Sequence, residues 1–146
     1  MTGASKLRHK FERGSASVEL AVLVPGLIIL LGLMIVGGRL WLARATVAEA
    51  AYSAARAGSL ARTASAAAVD GPAAGQQSLA TEGLRCAQSA ISVSTEAFAV
   101  PVGQPATVTS KVRCVVVFSD VLLPGMPGSL TIEATGSSAL DTYRSR

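Results

Sequence analysis

The chain has 146 residues, half of them hydrophobic but only 4% aromatic, with one histidine, two cysteines and a net charge of +4. That length suits about one small domain plus an anchor. Four of the thirteen basic residues (Lys6, Arg8, Lys10 and Arg13) precede Gly14, with Glu12 the only acid among them. The rest of the chain holds nine basic and eight acidic residues, a balance of +1. The basicity belongs to a short leader, and the absence of a basic domain argues against nucleic acid as a partner. The lone histidine, His9, lies in that leader. A Ser-His-Asp set cannot form in the remainder, and metal binding lacks ligands. The scattered acids show no pairing and no phosphate loop is present. The expectation is a non-enzyme with no catalytic residues, cofactor or metal.

Residues 1–14 are basic and without hydrophobic periodicity, and are expected to be disordered or removed. From about Ser15 the pattern turns helical. Ser15 or Ser17 can cap a helix, and Glu19 in its first turn would complement the dipole. Leu20 to Gly38 carries no charge. As helix it would be roughly 28 Å long, close to the thickness of a bilayer core. The run continues into Arg39, Leu40 and Trp41 with no small-residue cleavage pattern, so it reads as a retained transmembrane span rather than a secretory signal. Arg39 and Trp41 suit the lipid–water interface. Pro25 falls inside the span and predicts a kink. Gly26, Gly32, Gly37 and Gly38 offer places for close helix approach.

Beyond Trp41 the sequence stays helix-forming and becomes rich in alanine. The simplest expectation is one helix over 15–68, with the span at 20–38, roughly 75 Å long if it runs from Ser17 to Ala66. Its outer half must then pack on something. Asp70-Gly71-Pro72 predicts a turn and helix restart. Ala80, Leu84, Ala87 and Ile91 fit one face of a short second helix, with Cys86 on or near it.

The period then changes to two. Val108, Ser110, Val112, Cys114, Val116 and Phe118 alternate with Thr107, Thr109, Lys111, Arg113, Val115 and Val117 in the clearest strand. Ile91–Val100 is a weaker strand, and Leu130 to about Asp141 a third. The expected fold is α+β: a long N-terminal helix, then a short helix and a three-stranded antiparallel sheet in a small domain over 69–146. The apolar loop Leu122–Gly128 would close the core through Leu122, Leu123 and Met126, or offer an interface.

Cys86 and Cys114 both follow the span. Two cysteines in a small non-cytosolic domain most often form a disulfide, with buried free thiols the alternative. A bridge would stabilise by roughly 3.6 kcal/mol in the chain-entropy picture. The positive-inside bias is slight, because Arg39, Arg44 and Arg56 follow the span. The cysteines decide the orientation: N-terminus cytoplasmic, the rest outside, in a single-pass membrane protein touching lipid.

One stretch carries more. Glu12-Arg13-Gly14-Ser15-Ala16-Ser17-Val18-Glu19-Leu20-Ala21-Val22-Leu23-Val24-Pro25, together with Ala54-Ala55-Arg56-Ala57-Gly58, resembles the TadE-like minor pilins of tight-adherence (Tad) pili, a group with prepilin-like N-termini. The resemblance covers about the first 60 residues. It implies that a membrane prepilin peptidase cuts between Gly14 and Ser15, leaving Glu19 as the fifth residue of the mature chain. It also implies other pilins or pseudopilins and an inner-membrane assembly platform as partners, in building an adhesive pilus or related secretion system. A carboxylate at the membrane rim needs a positive partner, which the new amine at Ser15 would supply. Leu20 stands where major pilins of this class carry tyrosine, and Ser15 where classical type IV pilins carry phenylalanine. Leu20 and the chain's length, greater than that of such major pilins, favour a minor pilin. Without the resemblance, Glu19 is a helix-start acid contributing about 0.3–1 kcal/mol. The chain would then be a membrane-anchored extracytoplasmic binding module that enters no filament.

Overall fold

Alanine, leucine and the other straight-chain residues make most of the first sixty positions good helix formers, and the structure uses nearly all of them. A computed structural model describes residues 4–117 and 128–143, with side chains from Val18 onward. Helix α1 runs from Ala4 to Leu60. It starts well before the expected 15–17, so Ser15 and Ser17 are interior residues rather than caps. No acid stands in its first turn, so Glu19 does not serve the dipole of the full-length helix. The physical reason is cooperativity. Residues 4–13 contain no proline, and Gly14 costs only about 1 kcal/mol, so a helix nucleated further along propagates backward easily.

The chain divides into two compact units at Gly37–Gly38. In the first, α1 continues through Pro25 without interruption. The second contains the rest of α1 and everything after it. Here α1 ends at Leu60, not near 66–68. The amide of Ala61 donates to the Gly58 carbonyl, and the chain restarts at Thr63, whose Oγ1 accepts from the Ala66 amide at 3.1 Å. Helix α2 spans Ala64–Thr81. The expected turn at Asp70-Gly71-Pro72 therefore lies inside α2, and the real turn is at 61–63.

Packing explains this outcome. The buried face of α2 is Ala67, Gly71, Gly75 and Leu79. These face α1 in descending order: Ala67 near Gly58, Gly71 near Ala54, Gly75 near Ala50 and Ala54. The two helices are antiparallel and close. A Cβ at Gly71 would stand 2.6 Å from Val93 Cγ2 and 3.1 Å from the Ala54 carbonyl oxygen. The glycine that reads as a turn is there to let backbones approach, and that contact outweighs the helix-breaking tendency of Pro72.

Helix α2 stops in a Schellman motif. Gly83 adopts φ +71°, its amide donating to the Ala80 carbonyl while that of Leu84 donates to Leu79. Only glycine takes that conformation without penalty. The expected helical face through Ala87 and Ile91 is thus cut short. Cys86 lies in the connector, and Ile91 belongs to a strand.

Three strands follow: β1 Gln88–Val93, β2 Ala106–Val117 and β3 Ser129–Leu140, with a 3-10 helix over Glu96–Ala99. The weaker strand expected over Ile91–Val100 is displaced toward the N-terminus. The sheet order is β1-β2-β3, antiparallel throughout. The α+β class and the three-stranded meander agree with the sequence pattern. The apolar stretch Leu122–Pro127 and the strand residue Phe118 lie outside the described residues.

One sheet face is buried against the helices, and its alternation follows from the pleat. Val108, Ser110, Val112, Cys114 and Val116 of β2 are buried, as are Ile132 and Leu140 of β3. Val47, Ala50, Ala51 and Leu79 join them from the helices. Ala97, Val108 and Leu140 form a smaller cluster with Phe98 packed against it. Where α1 crosses the sheet there is little room for side chains. The Ser110 hydroxyl donates to the Ala51 carbonyl at 2.5 Å, and the Ser59 and Ser138 hydroxyls meet at 2.9 Å.

The other sheet face is open and polar. Arg113 stands opposite Glu133 and bonds it at 2.6 Å, with Lys111 at 3.5 Å. The Arg113 hydrogen bond, aided by the charges of Arg113 and Lys111, holds the Glu133 carboxyl below its ordinary range. A lowered folded value means the interaction contributes above the ordinary carboxylate range and is lost as pH falls through the folded value. Glu133→Gln should therefore narrow the fall in melting temperature between neutral and acidic pH. The difference should be small, because the group is exposed, and should fade in high salt. Thermal unfolding of both proteins across that pH range checks it. An equal acid response in the two would remove Glu133 from the account.

Candidate functional site

The residues singled out in the sequence fall in two places. Gly14, Ser15, Glu19 and Pro25 share α1 within the first unit. Gly14 and Ser15 are consecutive positions of an unbroken helix. Ser15 and Glu19 are four apart in it and hence share one side, a single turn between them. Pro25 is helical, with no break in the backbone on either side.

What surrounds Glu19 is apolar and uncovered. Val18, Leu20, Val22 and Leu23 are each more than 60% exposed, and no residue from 18 to 42 is buried. Monomeric soluble proteins rarely leave so large a contiguous apolar surface in water. The helix is long and apolar enough to cross a membrane. A Cβ at Gly26, Gly32, Gly37 or Gly38 would meet nothing within 4 Å, so the notches at these glycines are open to a neighbour.

The second unit holds Cys86 and Cys114, joined as a disulfide with Cα atoms 5.3 Å apart. Cys114 is fully buried on β2, and Cys86 is partly buried in the connector that leaves α2. The bridge pins that connector to the central strand. Among the described residues no cluster of histidine, cysteine and acid could hold a metal ion.

Sequence reasoning missed two features here. The small face of α2 was hidden behind a turn-like tripeptide; spacing of four between Ala67, Gly71 and Gly75 was the available signal. A cleft in the second unit, lined by Arg39 and Glu82 among others, could not be found from sequence, because it depends on where the chain reverses.

Comparison with known proteins adds one finding. Residues 14–56 match the family model described as TadE-like protein. No curated protein is matched significantly. The same holds for solved structures. The match begins at Gly14, takes in Glu19, Pro25 and the apolar run, and ends within the alanine-rich half of α1. Over that helix, residues 14–56, the chain is similar to TadE-like proteins.

Proposed function

We propose that this chain is a structural component of a Tad-type pilus or related secretion apparatus, a minor pilin or pseudopilin anchored by residues 20–38. The N-terminus faces the cytoplasm and the disulfide-bearing unit lies outside. The observation that carries this reading is the family match, which starts at the residue where the leader would be cut. A prepilin peptidase cuts after Gly14. The new ammonium at Ser15 then lies one helical turn from Glu19 and on the same side, where it or its copy in a neighbouring pilin neutralises the carboxylate. In the uncut chain Glu19 is roughly 22 Å from the helix start, too far for any terminal charge to serve it. Cleavage thus switches on the pairing that lets the helix pass from lipid into a bundle. The chain performs no chemistry; its partners are lipid, other pilins or pseudopilins, the peptidase and the assembly platform of the inner membrane.

The intact mass of protein recovered from membranes tests the cut: loss of residues 1–14 is expected. Glu19→Ala leaves the amine unpaired. Breaking such a pair costs about 3–5 kcal/mol in a low-dielectric setting, so incorporation should fall by more than about a hundredfold. Counting filaments and blotting sheared pili reads this. Normal piliation in the variant, with a chain still beginning at Met1, would defeat the proposal.

One observation favours a second reading, a membrane-anchored binding module outside the filament. The small-residue stripe of α1 from Ala43 to Gly58 is already covered by the chain's own α2 and sheet. That face is closed to other pilin helices, leaving the exposed stretch below residue 43 as the only bundling surface among the described residues of α1 along that side. Finding the protein in membranes but never in sheared filaments would select this reading.

A further inference from the structure

A cleft of about 320 Å³ opens in the second unit between α1 and the end of α2, lined by Arg39, Leu42, Ala43 and Thr46 on one wall and by Glu82, Gly83 and Leu84 on the other. The α1 residues fall at i, i+3, i+4 and i+7, one face of the helix. The other wall is built by the Schellman turn at Gly83 that ends α2. Its size is at the lower end of small-ligand sites, which run from roughly 300 to 1,000 Å³.

Opposite charges face the same space without neutralising each other. Arg39 and Glu82 are both exposed, and the ion pairs among the described residues are those of Glu133 with Lys111 and Arg113. The Glu82 end is reinforced as a cation site, because it caps α2 and so sits at the negative pole of that helix. Arg39 offers a planar fork suited to phosphate. Between them stand apolar Leu42, Ala43 and Leu84, with the Thr46 hydroxyl as a further polar contact. A ligand that engages both ends of the cleft must carry an anion and a cation, with hydrocarbon between or beside them. Arg39 directly follows the uncharged run ending at Gly38. On the reading that this run spans the bilayer, Arg39 stands at headgroup level.

We propose that this cleft is a binding site for the headgroup of a phospholipid bearing a primary ammonium, as in phosphatidylethanolamine, with Arg39 on the phosphate and Glu82 on the ammonium. The inference rests on the membrane-span reading and goes beyond it, since a span with a snorkelling arginine needs no lipid selectivity. An arginine acting by charge alone would prefer an anionic lipid and would be indifferent to Glu82. A carboxylate facing a primary ammonium accepts a charge-assisted hydrogen bond that a trimethylated ammonium cannot donate.

The test uses the full chain in nanodiscs made from equal parts phosphatidylethanolamine, phosphatidylglycerol and phosphatidylcholine. Lipids that stay bound after gentle release are identified by native mass spectrometry. Phosphatidylethanolamine should be retained about tenfold over phosphatidylcholine, the factor of one charge-assisted hydrogen bond, and should also exceed phosphatidylglycerol. Glu82→Gln should abolish the preference between ethanolamine and choline headgroups. Arg39→Gln should lower retention of all three. Arg56→Gln, an exposed arginine outside the cleft, should behave as wild type. Preferential retention of phosphatidylglycerol, or an unchanged profile in Glu82→Gln, overturns the site while leaving the span intact. Failure of the chain to enter nanodiscs overturns the span and the site together.

Discussion

Gly136→Val is expected to unfold or severely loosen the second unit, lowering its melting temperature by more than about 10 °C in a full chain held in detergent. The reason is a crossing with no side chain in it. Strand β3 passes α1 so closely that a Cβ at Gly136 would collide with the carbonyl carbon and oxygen of Ala51 and lie 2.6 Å from the Tyr52 amide nitrogen. These are backbone atoms of a helix, which cannot swing aside as the end of a lysine would. The two elements must separate. Overpacking alone costs about 1–3 kcal/mol. Separation also lengthens the 2.5 Å bond from the Ser110 hydroxyl to the Ala51 carbonyl. Ser110 is only 2% exposed, so an unsatisfied hydroxyl there adds roughly 1–3 kcal/mol. Against a typical total of 5–15 kcal/mol, the sum is a large part of the fold's stability. Gly26→Ala supplies the contrast, since a Cβ there meets nothing within 4 Å. It should leave thermal unfolding of the second unit unchanged. A Gly136→Val protein melting within a couple of degrees of wild type would mean that β3 and α1 do not touch.

Removing the Cys86–Cys114 bridge is the other change with a large expected effect. The cysteines are separated by 28 positions. Freeing that loop favours the unfolded chain by about 3.6 kcal/mol in the chain-entropy treatment, and native bridges in small domains commonly contribute about 2–5 kcal/mol to stability. The double variant Cys86→Ala, Cys114→Ala should melt far below wild type and show no response to reductant. Wild type should fall toward it when dithiothreitol is added. Cys114 is fully buried beside Val112 and Val116, so alanine there leaves a small apolar gap, whereas serine would bury a hydroxyl. Beyond stability, the bridge holds the connector that leaves the Gly83 turn. The reduced protein should therefore expose the amides of residues 84–87 to hydrogen exchange earlier than those of β2. A reductant-insensitive wild type would show that the bridge is not formed.

The parts of this fold that could be read from sequence are those governed by local period. Strands β2 and β3 alternate cleanly because one face is buried and the other wet, and their observed limits fall close to the expected ones. The apolar run of α1 is equally plain. Helix α2 was hidden because its decisive property is smallness, not hydrophobicity. Gly71 and Pro72 look like a turn until Ala54 and Val93 are seen against Gly71. The helix break at 61–63 has almost no local signal; Thr63 is an ordinary cap residue, and the reversal is fixed by the antiparallel fit of Ala50, Ala54 and Gly58 to Gly75, Gly71 and Ala67. At the site, the spacing of Gly14 and Glu19 is visible in the sequence, and the structure adds that both stand in one unbroken helix. Arg39 is visible in the sequence as the first charge after the apolar run, but its juxtaposition with Glu82 is not, since tertiary reversal alone brings those two residues to one cleft.

The close passage of β3 over α1 has a consequence for how such chains can diversify. The family-matched segment ends at residue 56, yet Ala43, Val47, Ala50, Ala51, Ala54 and Ala55 within it are buried by the unmatched remainder. The shared helix is therefore one wall of a private interior. A foreign C-terminal half grafted at residue 57 would have to bring its own gap opposite Ala51, or the chimera would not close.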